Sequence, residues 1–379
     1  MNHEQSPIFA VIAGGGTSGH IVPALAIAEL LVESGKSTES IHFFGSDRGA
    51  EVQILANSPY SHTFLRVDGL QRGLKPRALL RTARMLPMMW RAVRSARAQL
   101  AELRPKVVVS VGGYASVPAS RAAHQLSIPV VTCSYDHRPG IATRLQSRYA
   151  AATAVAYLPS QLRNAHLTGA PVRAELRHLN RATSRNEARA RLNIAQDRFL
   201  IVVMGGSLGS AVLNSAVRGL VETWTHRSDL AILHLCGDRY INDPMPKLDL
   251  SSPQIKYRRL AYSENMADVY SAADLLISRA GASTVAEIAT VGVPSILVPW
   301  RQAAEDHQQR NALWLAERNG AVILDESRLT VSTLTKAIEE ILEDRQQLVQ
   351  LGERAYELGS VHRQCSIAQL IASVVSGTH

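Results

Sequence analysis

The chain is poor in cysteine: Cys133, Cys236 and Cys365 are the only three in 379 residues, and they lie far apart. No CxxC pair occurs, which argues against a disulfide framework or a thiolate metal cluster and fits a reducing compartment. Long apolar runs are missing too. None reaches 18 residues, so no segment is expected to span a membrane. The polar start Met1–Pro7 lacks the basic region and cleavage site of a signal peptide. Acids are in deficit, with 32 Asp and Glu against 41 Lys and Arg, a formal net charge of +9. That excess suits an anionic partner, whether a nucleotide diphosphate, a bilayer surface or nucleic acid, and it also serves plain solubility. Charged residues total only 19% and hydrophobic residues 46%, the balance of a globular chain long enough for two cores.

What is present repeats a grammar. An apolar run from Phe9 leads into Gly14-Gly15-Gly16-Thr17-Ser18-Gly19-His20, followed by a helical pattern with Pro23 near its start and Gly35 as its C-cap. A second apolar run from Phe199 leads into Gly205-Gly206-Ser207-Leu208-Gly209, with a helix expected from about Ala211. Each is the strand–turn–helix opening of an α/β domain. Further short apolar runs at Ile41–Phe44, Val107–Val111, Val130–Thr132, Ala231–Leu235, Leu275–Ser278 and Ser295–Val298 alternate with helical patterns, as βαβ units require. We place the domain boundary at 168/169, beside Gly169 and Pro171, giving domains 1–168 and 169–359. A last helix within 360–379 can pack on either.

The first glycine loop satisfies GxGxxG, a weak signal alone. A dinucleotide site expects an acid ending the second strand, where this chain has Phe43-Phe44-Gly45-Ser46, so an NAD site is not expected. His20 sits where the loop becomes helix. Its imidazole can take a proton near neutral pH, or it can simply cap the loop. The most informative stretch is Ser278–Glu287, in which small residues open a helix directly after a strand. First-turn N–H groups and the helix dipole there bind phosphate oxygens. Glu287, one turn in, can accept both hydroxyls of a ribose, or merely pair with the dipole. Residues 305–311 follow another strand and can read sugar hydroxyls. Arg72–Lys106 holds ten Lys and Arg, one acid (Glu102) and the apolar cluster Met85–Trp90. This composition suits an anionic bilayer surface unless the cluster is core; few aromatics interleave with the charge, so nucleic acid is not expected as a partner.

Together these motifs resemble the MurG family of glycosyltransferases, bacterial enzymes that add N-acetylglucosamine to lipid I to make lipid II of peptidoglycan. The likeness runs from about Phe9 to Ile371. It includes Gly45-Ser46-Asp47-Arg48-Gly49, Gly112-Gly113-Tyr114, Gly169–Arg173, Gly205-Gly206-Ser207, Ser278–Glu287, and Asp306-His307-Gln308 with Asn311. The resemblance implies the α/β GT-B fold, two Rossmann-like domains with parallel sheets facing a central cleft, and an inverting reaction without metal or other cofactor. UDP-N-acetylglucosamine would then lie on Arg173, Ser207, Ser263, Ala282, Ser283, Thr284, Val285, Ala286 and Glu287. Gln308 would touch the sugar, Thr17, Ser18, Gly19 and Asp136 would approach from the first domain, and His20 would be the general base for the acceptor's C4 hydroxyl. The implied partners are the donor, lipid I and the anionic inner leaflet, with the protein peripheral on the cytoplasmic face of the cell membrane.

Two departures bear on the acceptor. Where the family usually has His-Glu-Gln-Asn, this chain has Cys133-Ser134-Tyr135-Asp136, which exchanges an amide for a carboxylate. Leu208 replaces a usual glutamine. Both are expected to touch the cleft. They keep open a relative that glycosylates another lipid-linked or natural-product acceptor, with a catalytically weak binding protein and a sugar-nucleotide epimerase as more distant alternatives.

Overall fold

Strand-length apolar runs that alternate with helices have one economical arrangement: parallel strands, buried on both faces, with helices as the crossovers. The computed structural model takes this form, and it describes residues 8–15, 18–47, 51–66, 76–248, 254–303 and 306–378, with side chains throughout except at Ser18 and 76–86. Thirteen strands are described: β1 Ala10–Ala13, β2 Ile41–Ser46, β3 Ser61–Leu65, β4 Val107–Ser110, β5 Val130–Ser134, β6 Ala152–Val155, β7 Ala165–Leu167, β8 Phe199–Met204, β9 Leu230–Leu235, β10 Lys256–Leu260, β11 Leu275–Ser278, β12 Ser295–Leu297 and β13 Val322–Ile323.

They form two sheets, ordered β3-β2-β1-β4-β5-β6-β7 and β10-β9-β8-β11-β12-β13, with every described pairing parallel. The order reverses between β1 and β4 in one sheet and between β8 and β11 in the other. Crevices at such reversals, beyond the carboxyl ends of the strands, are where ligands of these sheets bind. The central strands β1, β4, β8 and β11 are buried along their whole length.

The sheets belong to two units, Met1–Ala174 with Gln364–His379, and Glu175–Arg363. The chain leaves the first unit after Ala174, a few residues beyond 168/169. Glu29, on the helix Ser18–Glu33, holds this stretch: its carboxylate accepts from Arg173 Nε at 2.6 Å and from the Ala174 N–H at 2.8 Å. The helix Ile367–Ser376 returns to the first unit, where it packs on the helix Ser18–Glu33 and on β4 and β6. The Ser366 N–H donates to the Thr168 carbonyl at 3.0 Å at its entrance. Gly35, at φ 92°, ends the helix Ser18–Glu33 as expected, its left-handed backbone returning the Lys36 N–H to the Leu31 carbonyl.

The second unit carries a buried polar hub at the amino ends of its strands. Arg189 is fully buried and donates to the carbonyls of Ala272, Ala195, Gln196 and Arg198 and to Asp274 Oδ2. Asp274 Oδ2 also accepts from the Leu200 N–H at 2.7 Å, so one ion pair ties the start of β8 to the start of β11.

Candidate active site

In the first unit the loops after β1, β4 and β5 converge. Gly14 passes so close to β4 that a Cβ there would stand 2.9 Å from Val111 Cβ. His20 lies in the first turn of the helix Ser18–Glu33, and its half-buried ring rests on Gly112 and Gly113. Both glycines have left-handed backbones, with φ 89° and 72°, and a Cβ on Gly113 would come within 3.0 Å of His20 Nε2. Glycine is therefore required here twice, for conformation and for clearance. Burial lowers the His20 pKa below its usual value, while the Asp136 carboxylate and a hydrogen bond to the Val111 backbone act in the opposite direction without prevailing. The imidazole is thus neutral near pH 7 and able to accept a proton.

Asp136, half-buried in the loop after β5, also helps burial push the Tyr157 phenol up. Its neighbours in the altered tetrad point elsewhere. Cys133 and Tyr135 are buried, and burial drives the Cys133 thiol up to about 12, which leaves it inert. Within the altered tetrad, Asp136 is the residue whose charge acts on His20, while Cys133, Ser134 and Tyr135 are buried. Gly19 is exposed; Thr17 lies outside the described residues, as does the Ser18 side chain.

In the second unit the loops after β8, β10, β11 and β12 carry the expected donor residues. Ser207 and Leu208 are exposed on the loop after β8, Leu208 by 58%. Ser263 follows β10, its hydroxyl donating to the Asn265 carbonyl at 3.2 Å. The helix Ala282–Val291 starts at Gly281, and no side chain caps its first turn. Val285 is the first residue whose N–H is used within the helix, donating to the Gly281 carbonyl at 2.9 Å. The amides of Ala282, Ser283 and Thr284 therefore face outward, an anion seat by geometry and dipole. Val285 and Ala286 are buried and present no side chain to a ligand. Glu287 is half-buried, with Tyr270 Oη donating to its Oε2 at 2.7 Å. Gln308 Oε1 accepts from the Trp300 and Ala280 N–H groups at 3.0 and 3.3 Å, which turns its Nε2 away from the backbone.

Arg173 falls in the first unit, where the Glu29 carboxylate accepts from its Nε and from the following amide. Sequence reasoning missed Arg279, which lies within the Ser278–Glu287 stretch. Its buried guanidinium donates to the Val298 carbonyl at 3.0 Å, to Ser210 Oγ at 2.6 Å and to the Glu326 carboxylate. Glu326 in turn accepts from the Arg301 N–H at 2.9 Å. One arginine thus braces the loops after β8, β11, β12 and β13. The available signal was a lone charge amid small residues straight after a buried strand. Among the described residues no group of three or more His, Cys, Asp or Glu is arranged to hold a metal ion.

The helix Pro76–Leu103 buries Ala92, Ala96 and Leu100, a stripe at helical spacing. Trp90 is 62% exposed, with the Arg94 guanidinium 5.6 Å from its ring centroid, and Arg91 and Arg97 are exposed as well. Met88 and Met89 are half-buried; the side chains of Met85 and Leu86 lie outside those described. Among the described residues no helix is long and apolar enough to cross a membrane.

Two parallel sheets in Rossmann order, each opening with a glycine loop, and an uncapped helix start suited to a diphosphate define a sugar-nucleotide glycosyltransferase of the GT-B type. Residues 10–155 match the glycosyltransferase family 28 N-terminal domain and residues 200–369 the family 28 C-terminal domain. The chain belongs to glycosyltransferase family 28. It is 33% identical, over 97% of its length and 98% of the relative's, to the UDP-N-acetylglucosamine–N-acetylmuramyl-(pentapeptide) pyrophosphoryl-undecaprenol N-acetylglucosamine transferase of Desulforamulus reducens. The enzyme of that name from Paenarthrobacter aurescens is also 33% identical, over 98% of both chains. The crystal structure of Acinetobacter baumannii MurG superimposes with a TM-score of 0.70 at 28% identity, covering 97% of this chain and 99% of that one.

Proposed function

We propose that this protein transfers N-acetylglucosamine from UDP-N-acetylglucosamine to the C4 hydroxyl of the muramyl sugar of lipid I, forming lipid II for peptidoglycan synthesis. The observation that carries the reading is the open first turn at Ala282–Thr284, with Glu287 one turn further on. The donor's diphosphate would sit on those amides and its ribose on Glu287, with Ser207 and Ser263 beside the nucleotide and Gln308 Nε2 toward the sugar. His20 would take the C4 hydroxyl proton as the oxygen bonds to C1 from the face opposite UDP. The C1–oxygen bond to the diphosphate breaks with inversion, and its electron pair leaves on UDP. The helix dipole and its amides meet the charge that develops there, so no metal is required. The full-length relatives supply the identity of donor and acceptor by their names.

The direct test is purified protein with UDP-N-acetylglucosamine and lipid I, with and without EDTA; a disaccharide product in both is expected. Robust transfer to another lipid-linked acceptor, with none to lipid I, would overturn the acceptor assignment. Asp136 beside His20 and the exposed Leu208 are the features favouring that second reading. For the donor site, Glu287→Ala is expected to weaken UDP binding by roughly tenfold or more, since the ribose hydroxyls lose a charge-assisted acceptor. Calorimetry reads this directly, and unchanged affinity would refute the placement.

The Trp90 face would dock on the anionic inner leaflet, at the cytoplasmic side of the membrane where a lipid-linked acceptor lies. Trp90→Ser is expected to reduce binding to phosphatidylglycerol vesicles by about tenfold, the loss of one buried aromatic side chain. Sedimentation with vesicles checks it, and undiminished binding would place the docking face elsewhere.

A further inference from the structure

Glu287 is a long, rotamer-rich side chain near the surface of a helix, and a carboxylate that must accept hydroxyls from a ligand loses affinity by the entropy of being ordered. In this protein that ordering is built in. The helices Met266–Ala272 and Ala282–Val291 precede and follow β11 directly. Tyr270, on the first, is fully buried, and its hydroxyl reaches the carboxylate on the second at 2.7 Å. Its backbone is held independently. Arg181 donates from Nε to the Tyr270 carbonyl at 3.2 Å, and from Nη1 and Nη2 to the carbonyls of Gly292 and Ala273 at 2.8 and 2.5 Å. The guanidinium thereby ties the ends of both helices together, so the phenol and the carboxylate it meets cannot drift apart.

We propose that Tyr270 is a positioning residue for the donor, fixing the Glu287 carboxylate in the orientation that accepts the ribose hydroxyls of the nucleotide. The proposal rests on the reading of Glu287 as the ribose ligand. Burial first, and the Glu287 charge second, raise the Tyr270 phenol well above its usual range. It therefore keeps its proton and donates at every working pH. The aromatic ring packs as any buried Phe would, so the hydroxyl is the part whose contribution can be isolated.

The test compares UDP with 2′-deoxy-UDP by calorimetry, in the wild type, Tyr270→Phe, Glu287→Ala and the double variant, with melting curves to establish that each is folded. Tyr270→Phe is expected to weaken UDP by about tenfold, the loss of one hydrogen bond to a charged group. It should weaken 2′-deoxy-UDP much less, and raise the donor KM while kcat at saturating donor holds. In the Glu287→Ala background the same change should add nothing, because coupled residues are not additive. Equal weakening of both nucleotides by Tyr270→Phe, or an undiminished effect in the Glu287→Ala background, would show a merely structural tyrosine and overturn the proposal. If Glu287→Ala treats the two nucleotides alike, the ribose reading itself fails, and the role of Tyr270 fails with it.

Discussion

His20→Ala should lower kcat for transfer by about 10²- to 10⁴-fold, the span a positioned general base supplies, while leaving UDP affinity unchanged. The ring packs on Gly112 and Gly113, whose missing side chains leave room for it. The pH dependence follows from the environment. The base works when neutral, and burial has lowered its pKa, so the acid limb of the rate profile should fall below pH 6.5. Asp136 acts to raise that pKa, so Asp136→Asn removes a stabiliser of the imidazolium and should move the acid limb to still lower pH. A kcat within tenfold of wild type for His20→Ala, or an acid limb that moves up in Asp136→Asn, would remove His20 from the base role.

The largest stability effect is expected at Arg189→Met. This arginine is fully buried and satisfies four carbonyls and Asp274 at once. Removing one partner of a buried pair costs about 3–5 kcal/mol, because the other charge stays buried without it. Arg185 also contacts Asp274, at 2.6 Å, and the Ala272 carbonyl, at 3.3 Å, but it is more exposed, and the carbonyls of Ala195, Gln196 and Arg198 would lose their Arg189 donor. The expected result is a drop of roughly 10 °C in the melting transition of the second unit. Arg189→Lys should recover only part of this, since an ammonium cannot reproduce the planar fork of donors. Calorimetry that finds the transition within a degree or two of wild type would show that the hub contributes little to stability.

The strands legible from sequence were those whose burial makes them continuous apolar runs. Those around β1, β2, β4, β5, β8, β9, β11 and β12 lie where the runs placed them. The strands that escaped notice carry a different physics. β3 reads Ser-His-Thr-Phe-Leu and β10 reads Lys-Tyr-Arg-Arg-Leu; both are edge strands, half covered, so half their residues need not be apolar. β6 is Ala-Thr-Ala-Val, whose small and polar residues do not read as an apolar run, and β13 is only two residues, too short to show a period.

The amino-acid order by itself determined what local chemistry can decide: buried parallel strands, glycine loops where side chains cannot fit, a small-residue helix start ready for phosphate, and membership of its family. Only the tertiary structure decided which distant residues meet. Glu29 claims Arg173 across 144 positions, Arg279 finds Glu326 across 47, and Tyr270 reaches Glu287 across 17. Asp136 comes beside His20, while Cys133 and Tyr135 turn inward. These pairings follow from sheet order and from which face a residue presents as it leaves its strand, and neither is written in any short stretch of chain, because both are set by packing among elements far apart in sequence.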